Sequence, residues 1–155
     1  MEPIPMQHPA ISSADKNDYP QLIQVWESAV RASHDFLPEA YIVQLRELLL
    51  TRYLDTVTLF CTRDSHLNIT GFAGVSIGKL EMLFIEADHR GQGLGKQLLD
   101  YSIKHFRIRE LDVNEQNPQA LGFYLKQGFE VINRSEVDGL GQPYPMLRMR
   151  LEQRL

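Results

Sequence analysis

The sequence predicts one mixed α/β domain whose strands share a single sheet (an α+β arrangement), in the order β-α-α-β-β-β-α-β-α-β-β. Three observations carry that reading. Two stretches early in the chain repeat apolar residues with the period of a helix. After Leu54 the composition turns β-branched and aromatic, as strands do. An apolar run over 79–85 then enters a glycine-rich turn that opens directly into a further amphipathic helix. The 155 residues make one domain, 1–155, with 1–8 as a loose tail. A chain of that size buries roughly two thirds of its unfolded surface.

The elements follow in order. Residues 10–14 read as a short first strand, with Asp15 or Asp18 able to cap the helix behind it. Leu22, Val25, Trp26, Ala29 and Val30 recur at i, i+3, i+4, i+7 and i+8, which predicts a helix over 16–32. Pro20 is tolerable there because it lies near the helix start. A break at 32–38 ends on Pro38, which suits the first position of a second helix over 38–53. Strands follow at 56–62 and 69–77, joined by a turn at 64–68, with Gly71 and Gly74 as bulge points. Gly78 leads into the strand at 79–85. A helix over 93–106, a short strand over 109–113 and a helix starting at Asn117-Pro118 come next. Asn117 is a strong N-cap, Pro118 suits the first turn, and Gly128 suits the end. Strands at 129–134 and 146–151 close the chain around a Gly- and Pro-rich loop.

Composition limits the function. A formal charge of −4 gives no global basic field, which argues against nucleic acid and anionic membranes as partners. Cys61 is the one cysteine, so no internal disulfide exists, and no Cys/His cluster has metal-ligand spacing. No apolar run approaches the roughly 18 residues needed to cross a bilayer. The first ten residues are polar and proline-rich, unlike a secretion signal. A reduced cytoplasmic protein without a metal is the expectation.

The turn Arg90-Gly91-Gln92-Gly93-Leu94-Gly95-Lys96 carries the chemistry. Alternate glycines clear side chains from the backbone, so N–H groups can converge on an anion beside a helix N-terminus. A Walker P-loop of nucleoside triphosphatases needs four residues between its glycines and a hydroxyl after its lysine. Here Gly91 and Gly95 enclose three, and Gln97 follows Lys96. The dinucleotide fingerprint places its last glycine one position later, and in a repeated βαβ chain. Neither fits.

Arg90-Gly91-Gln92-Gly93-Leu94-Gly95 instead resembles the acetyl-coenzyme A motif of the GNAT superfamily of N-acetyltransferases, [Gln/Arg]-x-x-Gly-x-[Gly/Ala]. The run Asn117-Pro118-Gln119-Ala120-Leu121-Gly122-Phe123-Tyr124-Leu125-Lys126-Gln127-Gly128-Phe129 resembles that family's second hallmark, one strand later. Together the two cover 79–131. The segments at 33–37, 113–117 and 135–145 further resemble a small bacterial branch of the family.

The resemblance implies the GNAT fold, with a splayed central strand pair, and acetyl-coenzyme A as co-substrate. It implies that Arg90, Gly91, Gln92, Gly93, Leu94, Gly95 and Lys96 hold the pyrophosphate, chiefly by backbone amides. It implies that Leu83, Phe84 and Ile85 offer a free backbone edge to the pantetheine arm, which Asn117 and Phe123 border. An amide near Leu83 would also polarise the thioester carbonyl. Tyr124 would protonate the departing thiolate as general acid. The plainer readings of these residues are an N-cap for Asn117, packing for Phe123 and Tyr124, and solvated charges for Arg90 and Lys96.

The general base stays open. Asp112 is the better base by chemistry, Asn114 shares its strand face, and Glu81 lies on the strand before the turn. His34, with Asp35 and Phe36, lies where the family recognises its acceptor, and an ordinary histidine titrates near neutrality. The acceptor is a small-molecule or peptide amine, and the oligomeric state, monomer or homodimer, is open. A non-catalytic acyl-coenzyme A sensor would need the glycine turn but not Tyr124. A nucleotide-binding protein is the third reading.

Overall fold

A computed structural model describes residues 10–152, so the expected tail at 1–8 lies outside the described residues. The first strand, β1, shrinks to Ser12–Ser13. Asp15 caps a short turn at Lys16–Asp18, its Oδ1 accepting from Asn17 N at 2.9 Å while Asp18 Oδ2 accepts from Asp15 N. Helix α1 (Tyr19–Ser33) starts with Pro20 in its first turn, and α2 (Glu39–Leu48) runs on through a wide π-helical turn at Leu49–Tyr53. Then come β2 (Thr58–Arg63), β3 (Ile69–Ser76), β4 (Lys79–Ile85), α3 (Leu94–Phe106), β5 (Glu110–Asn114), α4 (Pro118–Lys126), β6 (Phe129–Ser135) and β7 (Met146–Leu151).

Among the described residues the strands form one sheet in the order β1-β2-β3-β4-β5-β7-β6. Each face has its own core. Leu22, Val25, Trp26 and Val30 of α1 meet Ile42, Leu59, Phe72 and Met82 on one side. Leu98 and Leu99 of α3 and Tyr124 of α4 meet Phe60, Ala73, Leu80, Leu111 and Met149 on the other. Fully burying each such side chain stabilises the fold by about 1.5–3 kcal/mol.

Two irregularities shape the centre. In the β3–β4 ladder Gly74 faces Met82 while Val75 faces Leu80, so Glu81 is an extra, bulged residue. The bulge therefore sits on β4, opposite Gly74, rather than on β3 itself. Gly71 faces Ile85 in regular register on the β4 side. On the β2 side Thr62 faces Gly71 and Arg63 faces Ile69, so Thr70 beside it is an extra residue and the expected bulge is there. The bareness of Gly71 serves packing, since a Cβ there would lie 2.6 Å from Ile85 Cδ1. The second irregularity is the parallel β4–β5 pairing, which consists of Lys79 opposite Glu110 and Leu80 opposite Leu111. From Glu81 onward the two strands separate.

Candidate active site

The divergence of β4 and β5 opens a cleft of about 460 Å³. It is lined by the end of β4, the turn at 89–96, the start of α3, the first turns of α4 and the C-terminal end of α1. The two sequence motifs thus meet in one cavity.

The backbone of β4 decides what that cavity offers. Glu86 N donates to Thr70 O at 2.9 Å, which fixes the alternation of the antiparallel β3–β4 ladder. Phe84, two residues back, spends its N–H and C=O on β3. Leu83 and Ile85 point theirs the other way, into the gap that β5 has left. The expected backbone edge is therefore supplied by Leu83 and Ile85. Phe84 contributes a ring instead, which packs 5.8 Å from Phe72.

At the far side, Gly93 takes φ 81° and Gly91 φ 79°, a left-handed backbone that side-chain-bearing residues rarely adopt. Gly93 is the N-cap of α3 and has no side chain to bond the first-turn amides. The first bond within the helix is Gln97 N to Gly93 O, 3.0 Å, which leaves the amides of Leu94, Gly95 and Lys96 without a helical carbonyl. Bare amides at the positive end of a helix dipole suit a pyrophosphate, so the residues present fit the group that the motif implies. Gly95 is less constrained, since a Cβ there would lie 3.7 Å from Phe123 Cζ, an ordinary contact.

The two cations of the turn are already engaged. Lys96 Nζ pairs with Asp100 at 2.7 Å. Arg90 Nη2 donates to Ala29 O at 3.1 Å, and Ala87 N donates to Ser28 Oγ at 3.0 Å. The last two bonds tie the turn to the end of α1, a link between residues about 60 apart in sequence that no local motif encodes. Gln92 does not line the cleft.

On α4, Asn117 is buried and caps the helix, its Oδ1 accepting from Ala120 N at 3.3 Å. Phe123 and Tyr124 both line the cleft, their rings 5.2 Å apart and edge-on. Burial raises the Tyr124 phenol well above its ordinary pKa, so the hydroxyl is a neutral donor across the physiological range.

Asp112 is not brought into this cleft. Leu111 and Val113 point into the α3–α4 core, so Asp112 takes the opposite face of β5. There it lines a second cavity of about 340 Å³ with Arg148 and residues of the 135–139 loop. Its carboxylate accepts from Arg148 Nε at 2.8 Å and Nη2 at 3.1 Å, and pairs with Lys79 Nζ at 2.9 Å. Burial pushes its pKa up, but the bonds and charges of Arg148 and Lys79 outweigh that and hold it below the ordinary value. That carboxylate is committed to two cations outside the cleft. Asn114 and Glu81 are likewise outside the cleft, with Glu81 3.5 Å from Lys79 Nζ.

His34 lines the cleft, whereas Asp35 and Phe36 do not. The expectation that His34 titrates near neutrality is overturned: burial first, then the Arg90 guanidinium, push its pKa down to about 4 against the pull of Asp35. Phe36 lies 5.3 Å from the His34 ring and 5.9 Å from Tyr144, which stacks on Tyr41 at 5.3 Å. Tyr41 Oη donates to Asp138. An aromatic series thus joins the break between α1 and α2 to the 135–145 loop. Tyr41 is a buried residue of α2, and nothing local in the sequence points to these partners.

The acetyltransferase (GNAT) domain family matches residues 36–152. Peptidyl-lysine N-acetyltransferase YjaB of Salmonella typhimurium is 42% identical over 129 residues, 83% of this chain and 88% of that protein. Its namesake from Escherichia coli is 39% identical over 129 residues, 83% of this chain and 87% of that one. The solution structure of apo-form YjaB from Escherichia coli matches with a TM-score of 0.85 at 35% identity, covering 93% of this chain and 97% of that one. PaiA N-acetyltransferase of Thermoplasma acidophilum, crystallised with coenzyme A, matches with a TM-score of 0.69 at 21% identity over 93% of this chain and 99% of that one, a likeness of fold.

Proposed function

The chain belongs to the GNAT acetyltransferase family and is an acetyl-coenzyme A-dependent N-acetyltransferase, and we propose that its acceptor is the ε-amine of lysine side chains in polypeptides. One observation carries the active-site reading: the start of α3 with its bare amides, the bare edge of β4 and Tyr124 line a single cleft. Leu94, Gly95 and Lys96 take the pyrophosphate on their N–H groups, with the turn at 90–93 shaping the seat. Leu83 and Ile85 pair with the amides of the pantetheine arm as an added strand would. Asn117 and Phe123 border that arm. The amide of Leu83 or Ile85 polarises the thioester carbonyl. Tyr124, a phenol that burial only holds more firmly protonated, starts in the state that a proton donor to the departing sulfur requires.

The lysine acceptor is supported by the two YjaB relatives, both peptidyl-lysine N-acetyltransferases, and by the acidic balance of the chain. Phe36, with Asp35 before it, flanks the acceptor end beside His34. A lone buried Cys61 and the use of acetyl-coenzyme A support a cytoplasmic setting. The sensor reading is not favoured, because the relatives are enzymes.

The test follows coenzyme A thiol release with lysine-containing peptides, N-terminal amines, polyamines and aminoglycosides. Peptides with a free ε-amine should be the best acceptors; preference for any other class would overturn the acceptor assignment. Tyr124→Phe should lower kcat by about 10²–10⁴-fold while leaving acetyl-coenzyme A affinity unchanged in calorimetry. Parent-like turnover in that variant would remove Tyr124 as the acid.

A further inference from the structure

The two ring nitrogens of His34 are in unlike situations. Ser33 Oγ lies 2.8 Å from Ala29 O, to which it donates, and 2.7 Å from His34 Nδ1. A hydroxyl has one proton. With that proton on the Ala29 carbonyl, Ser33 has only lone pairs to offer, so Nδ1 carries the ring hydrogen and donates it. Nε2 is then the bare nitrogen, and among the described residues no hydrogen bond engages it. The ring is neutral near pH 7, so this tautomer is the working one. His34 lines the same cleft as Leu83, Asn117 and Tyr124.

We propose, resting on the acetyl-transfer reading of this cleft, that Nε2 of His34 accepts the proton of the attacking amine. The amine reaches the site uncharged, its extra proton already lost to water. Its lone pair forms the C–N bond to the thioester carbonyl carbon and the C–S bond breaks. The surplus proton on nitrogen passes to Nε2, and the sulfur takes one from Tyr124. Water then collects the proton from His34 and resupplies Tyr124, so the net products are an amide and a thiol. Ser33 is a positioning residue that decides which nitrogen is bare. Burial and the Arg90 charge both oppose a proton on His34; a pyrophosphate bound at the neighbouring turn would offset the Arg90 part. The proton is therefore held on Nε2 only in passing, on its way to water.

The tautomer is read directly by long-range ¹H–¹⁵N correlation spectra of the ¹⁵N-labelled protein, without turnover. The parent should show Nδ1 protonated and Nε2 bare, and Ser33→Ala should move the ring toward the Nε2–H form. His34→Asn places an amide donor near the Nδ1 position and nothing at Nε2. It should lose about 10²–10⁴-fold in kcat with acetyl-coenzyme A affinity unchanged, the unchanged affinity certifying an intact fold. Ser33→Ala should show a smaller loss, in kcat rather than in that affinity. A parent spectrum with Nε2 protonated, or parent-like kcat in His34→Asn, overturns the assignment to His34 alone. A parent that acetylates no amine overturns the transfer reading, and the histidine's role with it.

Discussion

Asp112→Asn separates a structural carboxylate from a catalytic one. The substitution keeps the shape but removes the charge that Arg148 and Lys79 share, at 2.8, 3.1 and 2.9 Å. Charge-assisted bonds are worth about 1.5–3 kcal/mol each and neutral ones about 0.5–1.5. The side chains of Asp112, Lys79 and Arg148 are 27%, 28% and 42% exposed, so solvent screening reduces the difference. A net loss of about 1–2 kcal/mol remains, partly because two cations are left facing each other. For a chain of this size that lowers the thermal midpoint by roughly 2–8 °C. The pH dependence has a definite sign. A carboxylate with a depressed folded pKa stabilises the protein above its ordinary value of 3.8, and the contribution disappears as pH falls through the lower folded value. Parent and variant should therefore differ in calorimetry near neutrality and converge in acid. Turnover in the variant should match the parent, because Asp112 lies outside the cleft. A fall in kcat of about 10²-fold or more with an unmoved thermal midpoint would refute this reasoning and restore Asp112 as the base.

The glycines of the site are predicted to respond differently from one another. Gly71→Ala would put a Cβ 2.6 Å from Ile85 Cδ1, 3.2 Å from Thr62 Oγ1 and 3.3 Å from Leu98 Cδ1. Crowding on three sides should cost about 1–3 kcal/mol in chemical denaturation. Because Ile85 forms the cleft edge, acetyl-coenzyme A affinity should fall as well. Gly93→Ala meets nothing within 4 Å but must hold φ near 81°. Its cost is backbone strain of about 1–2 kcal/mol, read as weaker co-substrate binding in calorimetry with kcat at saturation retained. Gly95→Ala, with its nearest contact at 3.7 Å and a helical backbone, should be tolerated in both assays.

Much of the fold was readable because its signals are local. The apolar stripe of α1, the β-branched run before β2 and the Asn117-Pro118 helix start each specify an element within a few residues. The glycine turn was legible for the same reason. Side-chain allegiances were not. Asp112 looked like a base because Arg148, 36 residues on, becomes its neighbour only when β5 and β7 pair. His34 looked like a neutral-pH titrator because burial does not show in a loop sequence. Phe84 fitted a run of three edge residues, yet an antiparallel ladder can present only alternate ones to a given side.

The least legible feature is the one on which the cleft depends. With strict alternation Leu80 and Met82 would point to the same face of β4. They point to opposite cores, Leu80 toward α3 and α4 and Met82 toward α1, because Glu81 is an extra residue in the ladder with β3. Bulges sharpen local twist. This one falls where the β4–β5 pairing stops, after Leu80 and Leu111. β3 holds β4 on one side throughout, so the added twist acts on the weakly held side and turns β4 away from β5. The backbone of Leu83 and Ile85 is thereby left unpaired, and Phe84 is committed to β3. A regular strand in the same place would have spent those amides on β5 and left no gap for a thioester to enter.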